Sequence, residues 1–544
     1  MGPSSLSARR RAAALALATF LLLWAVGLLR QHEPRLAVPT EKAARIAAAT
    51  DRLRGALRPG DEPKGIYVDD QLVKIMWYRD GRAVATAGVT ADGAVPDAGP
   101  LMSRAGWGAV LTHSLIVLGG LTVLFLLATL RTPLRTLRTL DVLALAAFVV
   151  PTVLIDRGRF GPAEGMVAVL LLYLAARGVR LAVRGPGLAD EADAPVLLTA
   201  AAARLRLPRL VPQVTLAVLA ATLLTIVTST GIVDIAVADM EGATLLVHGV
   251  LPYGHMPTDM VHGDTYGLPI YALYAPFAAV WPMTSTWDDP LGALLLNALV
   301  VLVCLAGVAA ATRGARWPAM LALLAFPAAL MGSSSGTNDV LIAATLIWAF
   351  AWFTRPAASG ALVMLAGVAK VAPLVILPLW LARLRGAELR RALAACAAVG
   401  ATCLAALVAL GGLDGPAAMV HAIAFQFSRR SELSVWTALG LQPLQPLAQA
   451  LAMALVVGGT VLVWRDRSVA ADPRRVAGLV TAILAALQLS ASHWAPMYLL
   501  WFAPPAMIAL LGPLGAARTM PAEAVGEAHD DAAHVPADVR FAAA

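Results

Sequence analysis

Residues 211–229, VPQVTLAVLAATLLTIVTS, carry no charge, and residues 233–277, VDIAVADMEGATLLVHGVLPYGHMPTDMVHGDTYGLPIYALYAPF, follow with carboxylates, histidines, tyrosines and glycines. As a helix, the first stretch rises 1.5 Å per residue and covers about 30 Å, the thickness of bilayer hydrocarbon. The second is too polar to share that environment, so the chain leaves the membrane between the two. Further apolar runs lie at 12–29, 107–130, 138–155, 163–183, 290–312, 338–354, 391–411 and 441–463, with shorter ones near 317–332, 476–490 and 497–512. The 544 residues are 59% hydrophobic and 14% charged, with a mean hydropathy of +0.74. No water-soluble fold buries that much apolar surface. The expected fold class is an all-α polytopic membrane protein of about 12 transmembrane helices.

The net charge of +8 comes from arginines placed singly or in small groups at the ends of apolar runs. Such residues orient helices in a bilayer and do not track a phosphate backbone, so membrane lipids and not nucleic acid are the expected surroundings. Cys304, Cys396 and Cys403 fall inside predicted spans, which leaves no disulfide framework and no paired-cysteine metal site. The motifs imply no metal and no cofactor.

The first apolar run follows Arg9, Arg10 and Arg11 and lacks a small-x-small cleavage pattern, so residues 1–30 read as a retained signal anchor. Residues 31–105 combine the helical EKAARIAAATDRLRG with the alternating GIYVDDQLVKIMWYRDGRAVATAGV, which predicts a small extracytoplasmic α+β module with a hairpin at Asp80 and Gly81. Transmembrane helices follow over 106–184, a cytoplasmic linker over 185–210, a membrane core over 211–512 and a disordered cytoplasmic tail over 513–544. Arginine placement puts both termini inside the plasma membrane and the 233–277 segment outside. A single crossing at 359–384 would invert every later loop. The charge bias therefore favours a re-entrant hairpin, GALVMLAGVAK entering and APLVILPLWLARL returning, broken near Lys370 and Pro373, over a single tilted span with Lys370 snorkelling or paired within the bundle.

Chemistry is best sought in the 233–277 segment. Asp234 and Glu241, seven apart, share a helical face along the membrane surface, while Asp239 points elsewhere. A carboxylate at the rim of a membrane cavity can take the proton of a sugar hydroxyl that attacks an activated anomeric carbon. A lipid phosphate leaves readily, so one base plus cationic stabilisation suffices for an inverting displacement. Arg429, Arg430 and Lys370 are candidates to hold that phosphate, with His493 as a hydrogen-bond donor. Asn338 and Asp339 either orient a sugar hydroxyl or cap the helix beginning at Val340. Trp281, Trp287, Trp436, Trp494, Tyr266 and Tyr271 stack on sugars or form an interfacial belt.

The acidic start at Asp234, the HGVLPYG at 248–254 and the DTYG at 264–267 resemble the first large external loop of actinobacterial GT-C fold glycosyltransferases, specifically the polyprenyl-phosphate-mannose-dependent α-mannosyltransferase-like family. SSSGTND at 333–339, AGVAKVAPLVILPL at 366–379, FQFSRRSELSVWTALGL at 425–441 and SHWAPMYLLWFAP at 492–504 resemble further segments of that family. The resemblance spans most of 211–512 and does not reach residues 1–200. It implies a GT-C-like fold, a polyprenyl-phosphate sugar donor, mannose as the sugar, and a glycolipid, glycan or protein acceptor. By the same resemblance Asp234 is the general base with Asp239 in reserve, and Glu241, Tyr253, His255, Asp264 and Tyr266 join the substrate-binding set. Many relatives have a tyrosine four residues after the acidic position, where this chain has Ala238, so the base stays open between Asp234 and Asp239. The competing readings are a lipid or solute transporter or flippase, which intramembrane charge also suits, and a catalytically silent relative acting in envelope glycan assembly.

Overall fold

The computed structural model describes residues 38–512 apart from 69–71, 81, 102–106, 133, 135, 186–194, 230–232, 258–259, 261, 286–287, 313–314, 429–430 and 432. The expected anchor, the tail, the middle of the linker, and Arg429, Arg430 and Trp287 lie outside the described residues. The rest of the expected linker is not loop throughout, since Leu197–Arg204 is helical.

Among the described residues six helices are long and apolar enough to cross a membrane: Leu137–Asp156, Phe160–Arg184, Leu210–Val227, Leu291–Ala311, Gly386–Gln426 and Gln442–Arg465. The pair Arg316–Ala325 and Pro327–Ser334, bent by 65°, makes a seventh if taken as one span. The sequence count of twelve is larger because several apolar runs fold as shorter helices: Leu115–Thr129, Leu268–Ala278, Asp339–Ala351, Pro356–Ala369, Ala372–Ala382 and Pro496–Leu511. Proline explains part of this. Pro327, Pro373 and Pro496 each sit in the first turn of a new segment, where a missing N–H costs nothing and the preceding helix has to stop.

Residues 356–383 double back on themselves. The Pro356–Ala369 helix ends at Lys370, whose φ of −140° and ψ of 122° are extended, and the chain returns through Ala372–Ile376 and Leu377–Ala382. Ser359, near one end, accepts hydrogen bonds from Trp380 Nε1 at 3.3 Å and from the Arg383 guanidinium at 2.9 Å, near the other. The hairpin expected around Lys370 and Pro373 is therefore present as a shape. Arg383 is buried over the rings of Phe353 and Trp380, 4.1 and 4.8 Å from their centroids, which fixes the returning arm.

The long helices pack closely where glycines face each other. Phe160–Arg184 lies against Pro473–Ser490, and a Cβ on Gly178 would stand 2.2 Å from the Gly478 carbonyl oxygen. Small residues at such crossings let backbones approach and gain dispersion contacts. On the same helix Arg177 grips Asp141 through two bonds of 2.7 and 2.6 Å, with the Tyr173 hydroxyl donating to Asp141 at 2.6 Å.

The small module is a four-stranded antiparallel sheet in the order β1 (Glu62–Val68), β2 (Leu72–Arg79), β3 (Arg82–Thr90), β4 (Asp97–Pro100). The Thr40–Ala48 helix buries Ala43, Ala44 and Ala47 in a core with Val73, Ile75, Trp77, Ala85, Ala87 and Val89. The hairpin falls where the sequence placed it: Arg79 pairs with Arg82, and Asp80 takes a φ of +50°. The module meets the membrane part through Tyr78, packed edge-on to Phe160 at 6.2 Å and beside Leu433.

Two outcomes follow. Gly178→Val destabilises the detergent-purified protein by at least about 1–3 kcal/mol of overpacking, whereas Gly165→Ala, whose Cβ meets nothing within 4 Å, does not; thermal unfolding separates them. In the module, bonds from Arg79 at 2.8 and 2.6 Å hold the Asp61 carboxyl below the usual carboxylate range. A depressed folded value gives stability that is present above the unfolded value and lost as pH falls through the folded one. The protection of β1 and β2 amides, after correction for intrinsic exchange, therefore falls below about pH 4, and Asp61→Asn removes the part of that fall that Asp61 contributes.

Candidate functional site

A buried polar cluster forms where four segments meet. Pro327–Ser334 ends in a turn at Gly336, whose φ is +76°, and this turn delivers Asn338 and Asp339 to the start of the next helix. Neither side chain caps that helix. Asn338 Nδ2 instead donates to Asp239 Oδ1 at 3.0 Å, across 99 residues of sequence. Asp339 Oδ1 receives Lys370 Nζ from the hairpin tip and Trp501 Nε1 from the Leu499–Ala506 helix, each at 2.5 Å. Asp239, Asn338 and Asp339 are fully buried and Lys370 nearly so.

Lys370 is enclosed by aromatic faces as well as by the carboxylate. Its Nζ lies 5.2, 5.3 and 5.1 Å from the ring centroids of Tyr266, Tyr498 and Trp501. Tyr498 and Trp501 stack at 4.6 Å. An ammonium removed from water needs such partners, because unpaired burial of a charge costs several kcal/mol. The expectation that Lys370 holds a donor phosphate meets a different arrangement, since its charge is already taken up within the protein.

The loop between Asp234–Val247 and Leu268–Ala278 is pinned over this cluster. Asp264 Oδ2 accepts from Gly254 N at 2.8 Å, the Tyr253 hydroxyl donates to the Tyr266 carbonyl at 3.0 Å, and the Tyr271 hydroxyl donates to the Gly263 carbonyl at 2.7 Å. Gly267 N donates to the Ala369 carbonyl at 2.9 Å, beside Lys370. A Cβ on Gly267 would stand 1.7 Å from the Val368 carbonyl oxygen, so only glycine fits this seat.

The predicted residues thus divide. Asp239, Asn338, Asp339, Lys370 and Tyr266 come together. Tyr253 and Asp264 hold the loop's shape. His255 is exposed, with its Nδ1 3.0 Å from the Tyr253 carbonyl. His493 is half-buried, edge-on to Tyr498 at 6.0 Å, against the outer wall of the lysine enclosure. Asp234 is exposed at the first turn of its helix, with its Oδ1 accepting from Ile235 N at 2.9 Å, and its charge acts on Tyr266. Asp234 and Glu241 were expected on one face along the membrane surface, but Glu241 is buried to 1% exposure inside the bundle. The belt expected of the aromatic residues is not what Tyr271, Trp436 and Trp494 form. Trp436 and Trp494 donate to Leu489 O and Gln488 Oε1 at 2.9 and 3.1 Å, and so tie loops to helices.

Three participants escaped the sequence reading. Tyr498 and Trp501 are three apart at the start of a helix, so both reach the same side, a spacing visible in SHWAPMYLLWFAP. Tyr274, whose hydroxyl donates to the Gly336 carbonyl at 3.2 Å, also flanks Asp239 and carries no motif of its own. Comparison with family models, with curated proteins and with solved structures finds no match to this chain.

Breaking the buried pair from one side strands a charge. Lys370→Met and Asp339→Leu should each destabilise the protein by about 3–5 kcal/mol, and the double variant by less than their sum. Additive losses in urea titrations of the three variants would contradict a direct pair.

Proposed function

We propose that the chain is a membrane glycosyltransferase that transfers a sugar, mannose by resemblance, from a polyprenyl phosphate donor to an external glycolipid, glycan or protein acceptor. The observation that supports this best is the pairing of an exposed carboxylate with a rigid support: Asp234 stands at the open start of its helix, while the loop beyond it is pinned through Gly267 to the hairpin tip. In this reading Asp234 takes the proton of the acceptor hydroxyl as the hydroxyl attacks the anomeric carbon. The sugar–phosphate bond breaks in the same step, and the anomeric configuration inverts. Asp239, shut inside the cluster and bonded to Asn338, holds the support together instead of meeting substrate. His493 and the arginines 429 and 430 are the groups proposed to stabilise the departing phosphate. The short apolar helices are counted with the long ones as crossings of a GT-C-like bundle, with this site on the extracytoplasmic face.

One feature favours a transporter or flippase as the second reading. The Lys370–Asp339 pair lies where helices break, at 370 and at 335–338, and broken helices around buried charges also build substrate pathways.

The test is transfer of labelled mannose from polyprenyl-phosphate-mannose into lipid and protein fractions by purified membranes. Asp234→Asn should lower transfer about 10²–10⁴-fold at equal expression and unchanged thermal stability, as loss of a general base does. Asp239→Asn should lower stability and activity together. No transfer from any polyprenyl-phosphate sugar, with donor lipid still bound, would turn the reading to the transporter or the silent relative.

A further inference from the structure

Glu164 lies in the second turn of the Phe160–Arg184 helix, one of the six of membrane-spanning length, and is exposed by only 1%. Among the described residues its Oε1 has no hydrogen-bond partner and no charged side chain acts on it. Its carboxyl lines a small cavity, of a size for one water or one small ion, whose other polar side chains are Ser434 and Gln488; Val167, Leu171 and Trp494 close the walls. An ionised carboxylate left alone in such surroundings costs several kcal/mol, so the charge has to be met by something that enters.

We propose that Glu164, Ser434 and Gln488 form a binding site for a small monovalent cation, either a proton or sodium. The three side chains bring a carboxylate, a hydroxyl and an amide oxygen to one cavity, the hard oxygen set such a cation takes. Among the described residues no other acid or base lines the cavity. The Val435–Ala438 and Pro473–Ser490 helices present only apolar groups, Ser434 and Gln488, and His493 in the following turn packs on Tyr498 instead. The site is separate from the Asp239–Lys370 cluster yet tied to it. Gln488 Oε1 accepts from Trp494 Nε1 at 3.1 Å, Gln488 Nε2 donates to the Tyr498 carbonyl at 2.7 Å, and the Tyr498 ring faces Lys370. Occupancy at Glu164 therefore bears on the segment that walls the lysine enclosure. This inference does not depend on the transfer reaction and holds equally for a transporter.

The experiment is thermal unfolding of the full chain in lipid nanodiscs, in choline or sodium buffer, from about pH 9 down to about pH 6. A cation held only by the folded state raises the unfolding temperature. Wild type should gain several degrees on acidification in choline, which identifies a proton, or on replacing choline with sodium at the alkaline end, which identifies sodium. Glu164→Gln, a neutral isostere, should lose that gain. Ser434→Ala keeps the carboxylate and removes one oxygen, and should shift the midpoint by about fivefold in cation concentration. As a check independent of unfolding, dicyclohexylcarbodiimide, which adds to protonated carboxyls in apolar settings, should mark Glu164 in mass spectra more strongly in acid or less strongly with sodium. A wild type that responds to neither cation, or a Glu164→Gln protein that keeps the whole response, overturns the proposal.

Discussion

An ammonium placed inside an apolar bundle sets the terms for everything around it. Lys370 interrupts a run of residues that otherwise suits lipid, and the chain accommodates it with one carboxylate and three aromatic faces drawn from segments far apart in sequence. The hairpin turns at Lys370 and Pro373, and the helix beginning at Asp339 carries its first residue to that charge. Asn338, Asp239 and the pinned loop follow from these positions. Two carboxylates and one ammonium in one enclosure make an arrangement sensitive to any change in charge, as functional polar networks commonly are.

Much of the fold could be read from composition because bilayer thickness is a ruler. The long helices at Phe160–Arg184, Leu210–Val227, Leu291–Ala311 and Gln442–Arg465 match apolar runs closely. The turn-back at Lys370 and Pro373 was legible as a shape, since a lone lysine and a proline interrupt an apolar run there. Helix length was not legible where proline and glycine break an apolar run, since hydropathy averages over a break that backbone geometry cannot ignore. The run at 338–354 shows the same limit: its helix starts at Asp339, at the head of the run, but ends at Ala351, 13 residues and about 20 Å on.

The site was legible residue by residue but not as an assembly. Polar residues in an apolar chain stand out, so Asp239, Asn338, Asp339 and Lys370 were all candidates, yet nothing local shows that Asn338 reaches Asp239 instead of capping its own helix. Tyr498 and Trp501 were hidden for the opposite reason, since aromatic residues near a membrane have a ready interfacial explanation. Burial also reverses emphasis among the carboxylates of one helix: Asp234 is open to solvent, while Asp239 and Glu241 on later turns are enclosed.

The seat of the loop has a consequence for how this surface can diversify. Gly267 and the Ala369 carbonyl join backbone to backbone, with no side chain in the seam to exchange for another. Residues on the open side of the loop, His255 among them, lie outside that seam and carry no part of its geometry. Descendants of this sequence can rewrite the exposed part of the loop while its anchorage stays fixed, so variation in what the loop meets is uncoupled from the integrity of the bundle beneath it.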